Sequence, residues 1–256
     1  SGELLDHLTT IENVRDLDLL RFLMGAEKLN YVGVSYGTFI GSMYAELFPE
    51  RTGRLVLDSA VDITNEGEVF QAEGFETALG LYADWCAGEE SCSLGNSRDE
   101  VTSRINSFLH GLDANLLKVG DRQVTQGQGA IGIALYLYSG EEAYPLLTRT
   151  IEAAMNGKGK ALLKANDDLT GRRANGWETS AYAFPAIRCV DQPDAGVAAT
   201  DDIRKKMAEK APVFGSNMGT ELVCERWTAN SAPNLKLTGK GAAPILVVGS
   251  TGDSAT

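Results

Sequence analysis

The sequence is short of positive charge. Its 256 residues hold 23 Lys and Arg against 35 Asp and Glu, a formal net charge of −12. Nucleic acids and anionic membrane surfaces are held by basic faces, so neither is expected as a partner. Histidine is rarer still, with His7 and His110 alone. The four cysteines include a C-x5-C pair, Cys86 and Cys92, which is not a usual zinc spacing, and both histidines lie far from them in sequence. Neither a metal nor another cofactor is expected. No apolar run approaches the roughly 18 residues of a membrane-spanning helix, so no transmembrane segment is expected. The N-terminus lacks the basic-then-apolar pattern of a secretory leader.

An even cysteine count fits disulfides. Three pairings of Cys86, Cys92, Cys189 and Cys224 are possible. A local clasp, Cys86 with Cys92, and a long staple, Cys189 with Cys224, are favoured over free buried thiols; disulfides imply an oxidising compartment. What remains is ordinary for a globular protein, 43% hydrophobic with 28 glycines and 7 prolines. The length suits one α/β domain or a domain with an insertion.

The stretch on which the rest turns is Asn30-Tyr31-Val32-Gly33-Val34-Ser35-Tyr36-Gly37-Thr38. A β-leaning run, Leu29 to Val34, enters a G-x-S-x-G, and a helical pattern leaves it at once. That is the strand–turn–helix setting of a nucleophile elbow, which raises a serine hydroxyl above a sheet. Gly33 and Gly37 remove side chains that would collide across the turn. The amide of Tyr36 opens the following helix, where unpaired N–H groups and the dipole favour an anion.

Upstream, Thr9 to Glu12 reads as a capping box opening a helix to about Met24. Its apolar stripe is expected at Ile11, Val14, Leu17, Leu20 and Leu23, with Arg15, Asp16, Asp18 and Arg21 on the polar side. Downstream, Tyr36 to Phe48 is helical, Pro49 ends it, and Arg54 to Asp58 is a short buried strand. This is the βαβ rhythm of an α/β sheet. It stops at about Val61. Glu68–Ala87, Asp99–Gly111, Gly129–Tyr138, Glu141–Asn156, Lys158–Leu169 and Thr200–Lys210 all read as helices. Trp85, Tyr136, Tyr138, Trp177, Tyr182, Phe184 and Trp227 are expected in their core. The rhythm returns with a buried strand, Pro244 to Gly249, and a turn containing Asp253. The expected fold is α/β: an α/β-hydrolase core, with an incomplete parallel sheet and flanking helices, over residues 1–60 and 237–256, and a mainly helical cap over 61–236.

A serine nucleophile needs a base to take its proton and a carboxylate to orient that base. Ser35 and Asp253 fit nucleophile and acid, with the Tyr36 amide as an oxyanion donor. Asp58 and Asp62 are rival acids. In the order Ser…Asp…His the base follows the acid, and no histidine follows Asp253. His7 and His110 are poorly placed. The sequence therefore reads as an interior piece of a longer hydrolase, inactive or nearly so alone, without the base and the upstream glycine-rich oxyanion loop.

Several segments resemble the actinobacterial tripeptidyl aminopeptidase family, among the proline-iminopeptidase-like α/β-hydrolases. They are Asn13 to Asp18, Leu29 to Thr38, Tyr44 to Arg51, Leu55 to Asp58, Ala186 to Asp191 and Gly252 to Thr256, with Ser254 where that family usually has Pro. The resemblance implies an exported serine exopeptidase that takes peptides with free N-termini. It carries over Ser35 as nucleophile, Asp253 as acid and the Tyr36 amide as oxyanion donor, and it supports cysteine pairing in the cap. It also implies a cap carboxylate for the substrate ammonium, for which Asp191, Glu178 and Glu221 are candidates.

Overall fold

The computed structural model describes residues 2–63, 70–191, 197–218, 224, 227, 232–233 and 235–256. Thr9 caps the first helix, α1 (Thr10–Leu23), its Oγ1 accepting the Glu12 amide at 3.2 Å. Only this half of the expected capping box forms, because the Glu12 carboxylate turns to His7 Nδ1 (2.8 Å) and the Thr9 hydroxyl (3.2 Å). The buried face of α1 also differs from the apolar stripe. It consists of Thr10, Ile11, Val14, Asp18 and Arg21, while Leu20 and Leu23 are exposed. Asp18 is accepted inside because Arg21 Nε (2.8 Å), the Tyr44 hydroxyl (2.9 Å) and Arg51 all donate to it. Burial pushes its carboxyl up, but these donors outweigh that and hold it below the ordinary aspartate range.

After α1 come β1 (Leu29–Val34), α2 (Tyr36–Leu47) and β2 (Thr52–Asp58), in the expected alternation. Ile11, Val14, Met43 and Tyr44 pack α1 against α2 in one small core. The chain then leaves the sheet through α3 (Phe70–Gly88), α4 (Arg98–Gly111), a hairpin of β3 (Leu117–Val119) and β4 (Arg122–Val124), α5 (Gln126–Tyr138), α6 (Tyr144–Met155) and α7 (Lys160–Thr170). A second hairpin, β5 (Arg172–Arg173) with β6 (Gly176–Trp177), leads into α8 (Ser180–Asp191) and α9 (Val197–Lys210). Leu79, Tyr82, Ile105, Ile133, Leu147, Ile151, Leu162 and Phe214 are among the side chains of the larger core these helices enclose. The expected helices are present; residues 68 and 69 of the first lie outside the described part. The two hairpins and α8 depart from the expectation. Pro185 inside α8 removes one backbone donor and masks the helical pattern.

Both expected cysteine bonds form, Cys86 with Cys92 and Cys189 with Cys224, at Cα separations of 5.3 and 5.0 Å. Of the aromatics expected inside, Tyr138, Trp177, Tyr182 and Phe184 are exposed instead, Tyr182 by 63% and Phe184 by 60%. Trp177 is lodged under the Arg172 guanidinium at the hairpin surface, 5.6 Å from its ring centroid, so its face is used without being buried.

The chain returns to the sheet in β7 (Ile245–Val248), giving the order β1-β2-β7, all parallel. The sequence predicts a buried strand here, yet Leu246, Val247 and Val248 are exposed. It is an edge strand, bonded to β2 alone among the described residues. Val32 and Val34 of the opposite edge are exposed too.

Candidate active site

The three strands end level. Val34 pairs with Asp58, and Asp58 with Val248. Ser35, Ser59 and the turn after Val248 therefore open on one carboxyl-terminal edge. With neighbouring strands about 4.8 Å apart, the ends of β1 and β7 lie about 10 Å from each other.

At the first of these ends Ser35 sits at φ 53°, ψ −123°. A non-glycine residue there stores on the order of 1–3 kcal/mol of strain and is kept only where its surroundings over-determine it. They do so here. The Ser35 amide donates to Asp58 O at 3.1 Å, extending the ladder one residue past β1. Its carbonyl accepts both the amide (2.8 Å) and hydroxyl (2.7 Å) of Thr38. Thr38 Oγ1 also receives the Val61 amide at 3.1 Å, tying the chain that leaves β2 to the elbow. A Cβ on Gly33 would stand 2.3 Å from Gly37 O, so the turn closes only with glycine there. The Tyr36 amide lies in the first turn of α2, among the N–H groups a helix cannot pair with its own carbonyls.

Asp253 occupies the turn after β7. Its Oδ1 accepts the amides of Ala255 (2.9 Å) and Thr256 (3.1 Å), and Oδ2 the Thr256 hydroxyl (2.8 Å). Burial raises its pKa, but the three donors from Ala255 and Thr256 lead the effects that bring it below the ordinary value, so the group is ionised at neutral pH. Helix α3 supports this turn closely: a Cβ on Gly74 would come within 2.9 Å of Ser254 O.

Asp58 is spoken for locally, its Oδ1 accepting the Ser59 amide at 2.9 Å. Asp62 has a partner of its own. Neither histidine reaches the edge through a hydrogen bond among the described residues. His7 Nδ1 is on Glu12, whose hydrogen bond and charge raise the imidazole pKa, and His110 Nδ1 is 3.0 Å from Asn106 O on α4. Of the cap carboxylates, Glu178 is paired with Arg173, Asp191 is bonded to Thr10, and Glu221 lies outside the described residues. Sequence reading missed Thr38 and Thr10, ordinary hydroxyls whose roles arise from strand register and helix placement. No group of three or more His, Cys, Asp or Glu side chains is placed to hold a metal among the described residues.

A strained serine after a parallel strand, with an ionised aspartate two strands away on the same edge, belongs to one class: the chain has the α/β-hydrolase fold, and the family model described as alpha/beta hydrolase fold matches residues 2–99. Homology extends well beyond that stretch. The chain is 32% identical to the serine protease Hip1 of Mycobacterium tuberculosis, over 98% of this chain and 52% of that protein. It is 30% identical to the tripeptidyl aminopeptidase of Streptomyces lividans, over 100% and 49% respectively. A carboxylesterase B of Mycobacterium tuberculosis is 31% identical, over 98% and 51%. The chain thus spans about half the length of the curated relatives it matches, and its resemblance to the tripeptidyl aminopeptidases holds from end to end.

Proposed function

We propose that this chain supplies the nucleophile, the acid and the cap of an exported serine aminopeptidase that releases short peptides from free N-termini through an acyl-enzyme. The observation that carries the reading is Ser35 itself, a non-glycine residue held at φ 53° between Gly33 and Gly37. Its hydroxyl attacks the scissile carbonyl, and the oxyanion that forms is met by the Tyr36 amide. Asp253, already ionised, orients the imidazole that takes the Ser35 proton and passes it to the leaving amine. That imidazole comes from a histidine outside residues 1–256, because His7 and His110 are engaged elsewhere. The ends of β1 and β7, about 10 Å apart, put the turns that carry the two groups on the same edge. The segment 61–236 acts as the lid over this edge. Two disulfides support an extracytoplasmic location.

A carboxylesterase is the second reading, favoured by the 31% identical relative of that name. Both use Ser35 in the same way, so substrates separate them. In the full-length protein a fluorophosphonate probe labels Ser35, and Ser35→Ala abolishes labelling. Peptides with free N-termini are cleaved, and acetylating the N-terminus raises KM tenfold or more, a loss on the order of one unpaired buried charge. Indifference to acetylation, with faster ester turnover, would establish the esterase instead.

A further inference from the structure

Tyr36 has a second set of contacts besides its backbone role at the elbow. Its phenol oxygen is hydrogen-bonded to Oγ1 of Thr10, the first residue of α1. The same Oγ1 bonds Oδ2 of Asp191 in the last turn of α8, and the Thr10 amide donates to Oδ1 of Asp191 at 2.9 Å. Three parts of the chain, separated by 26 and 181 positions from Thr10, meet at one hydroxyl.

The chemistry fixes the direction of every bond. An ionised carboxylate only accepts, so the single Thr10 hydroxyl proton goes to Asp191. The Thr10 oxygen is then an acceptor, and the Tyr36 phenol donates to it. Bonds ordered in one direction and ending on a charge strengthen one another. The amino-terminal end of α1 favours that charge further. Asp191 is itself held in place. Cys189, two residues before it, is bonded to Cys224, and Val190 O accepts the Ala232 amide at 2.6 Å. Tyr36 is 40% exposed and lies beside Phe39, so the tether fixes the hydroxyl end of a partly exposed ring.

We propose that Asp191, acting through Thr10 and Tyr36, is a positioning residue that latches helix α8 to the nucleophile elbow and fixes the Tyr36 amide where an oxyanion forms. The proposal rests on the serine-hydrolase reading above for its catalytic consequence, but not for the latch. A movement of α8 is passed to the residue next to Ser35 by two hydrogen bonds. Both oxygens of Asp191 already serve this latch, which sets it apart from a carboxylate free to bind a substrate ammonium.

The test uses the full-length protein with Asp191→Ala, Asp191→Asn, Tyr36→Phe and the Asp191→Ala/Tyr36→Phe double variant. Turnover is measured on an N-acetylated ester and on a peptide with a free N-terminus. Each disrupting variant lowers kcat roughly ten- to hundredfold on both substrates, somewhat less than loss of a whole oxyanion donor, with KM within about twofold. The double variant is no worse than the worse single, since both break one chain. Asp191→Asn, which keeps an acceptor for Thr10, recovers most of the rate. A KM that rises only for the free-amine peptide makes Asp191 a substrate ligand and overturns the latch, as do additive losses. Hydrogen exchange over residues 33–40 needs no turnover. The latch makes it roughly tenfold faster in Asp191→Ala and in Tyr36→Phe alike, and unchanged exchange in both overturns it. Should the wild-type protein turn over neither substrate, the hydrolase reading falls and exchange alone decides the latch.

Discussion

Gly33 is the residue with least freedom at the elbow. Any side chain there begins with a Cβ 2.3 Å from Gly37 O and 2.7 Å from the Tyr31 ring. The obstacle is backbone, which cannot swing aside as a side-chain tip does. Gly33→Ala therefore opens the turn and releases Ser35 from its strained geometry; probe labelling at Ser35 in the full-length protein falls by more than about a hundredfold, the scale on which small misplacements act. Gly37 is less confined, facing the Tyr31 hydroxyl at 3.2 Å. At this scale the sequence was most readable. G-x-S-x-G after a β-run names a turn whose steric demands are local, and Asp253 follows a strand in a glycine-containing turn. The hydroxyls of Thr10 and Thr38 carry no such local signature, because each acquires a partner from another part of the chain.

Elements show where pattern reading gave way to tertiary packing. In α1 the buried side holds Asp18 and Arg21 while Leu20 and Leu23 face outward. A hydrophobicity count cannot find this, because the stability of a buried ion pair depends on donors from α2 and from Arg51. The same holds between α3 and the turn at residues 211–218. Glu76 accepts the amides of Val213 (3.0 Å) and Phe214 (3.2 Å). Burial raises its pKa, and the two amides only partly offset that. A carboxyl with a raised folded-state pKa adds stability below its unfolded value and loses it as pH climbs through the folded one. Glu76→Gln, neutral throughout and still an acceptor, lacks that loss, so its stability relative to wild type improves from pH 4 to 7. Glu76→Ala strands two amides and is less stable by about 1–3 kcal/mol across the range. Urea-unfolding midpoints of the three proteins at several pH values provide the check.

For the whole molecule the two cysteine bonds tie together regions that the sheet does not. Cys86–Cys92 ties the last turn of α3 to the loop that follows it, whereas Cys189–Cys224 spans 35 positions and anchors the end of α8. Replacing Cys189 and Cys224 together by Ala lowers stability by about 2–4 kcal/mol, read as a drop in melting temperature. Replacing Cys86 and Cys92 has a smaller effect, since the loop it closes is shorter. Pairing of the cysteines was readable from their spacing. The exposure of β7 was not, because an apolar strand looks alike in the middle of a sheet and at its edge.

The order of the sheet has one more outcome. Everything from residue 59 to residue 244 leaves and re-enters between β2 and β7, which are hydrogen-bonded neighbours. Entry and exit are fixed one strand apart by the ladder, whatever lies between. The entropy of closing such a loop grows only with the logarithm of its length. The intervening segment can therefore lengthen or shorten in its loops without parting the ends of β2 and β7, provided α3 and α8 keep their contacts with the Asp253 turn and with Thr10.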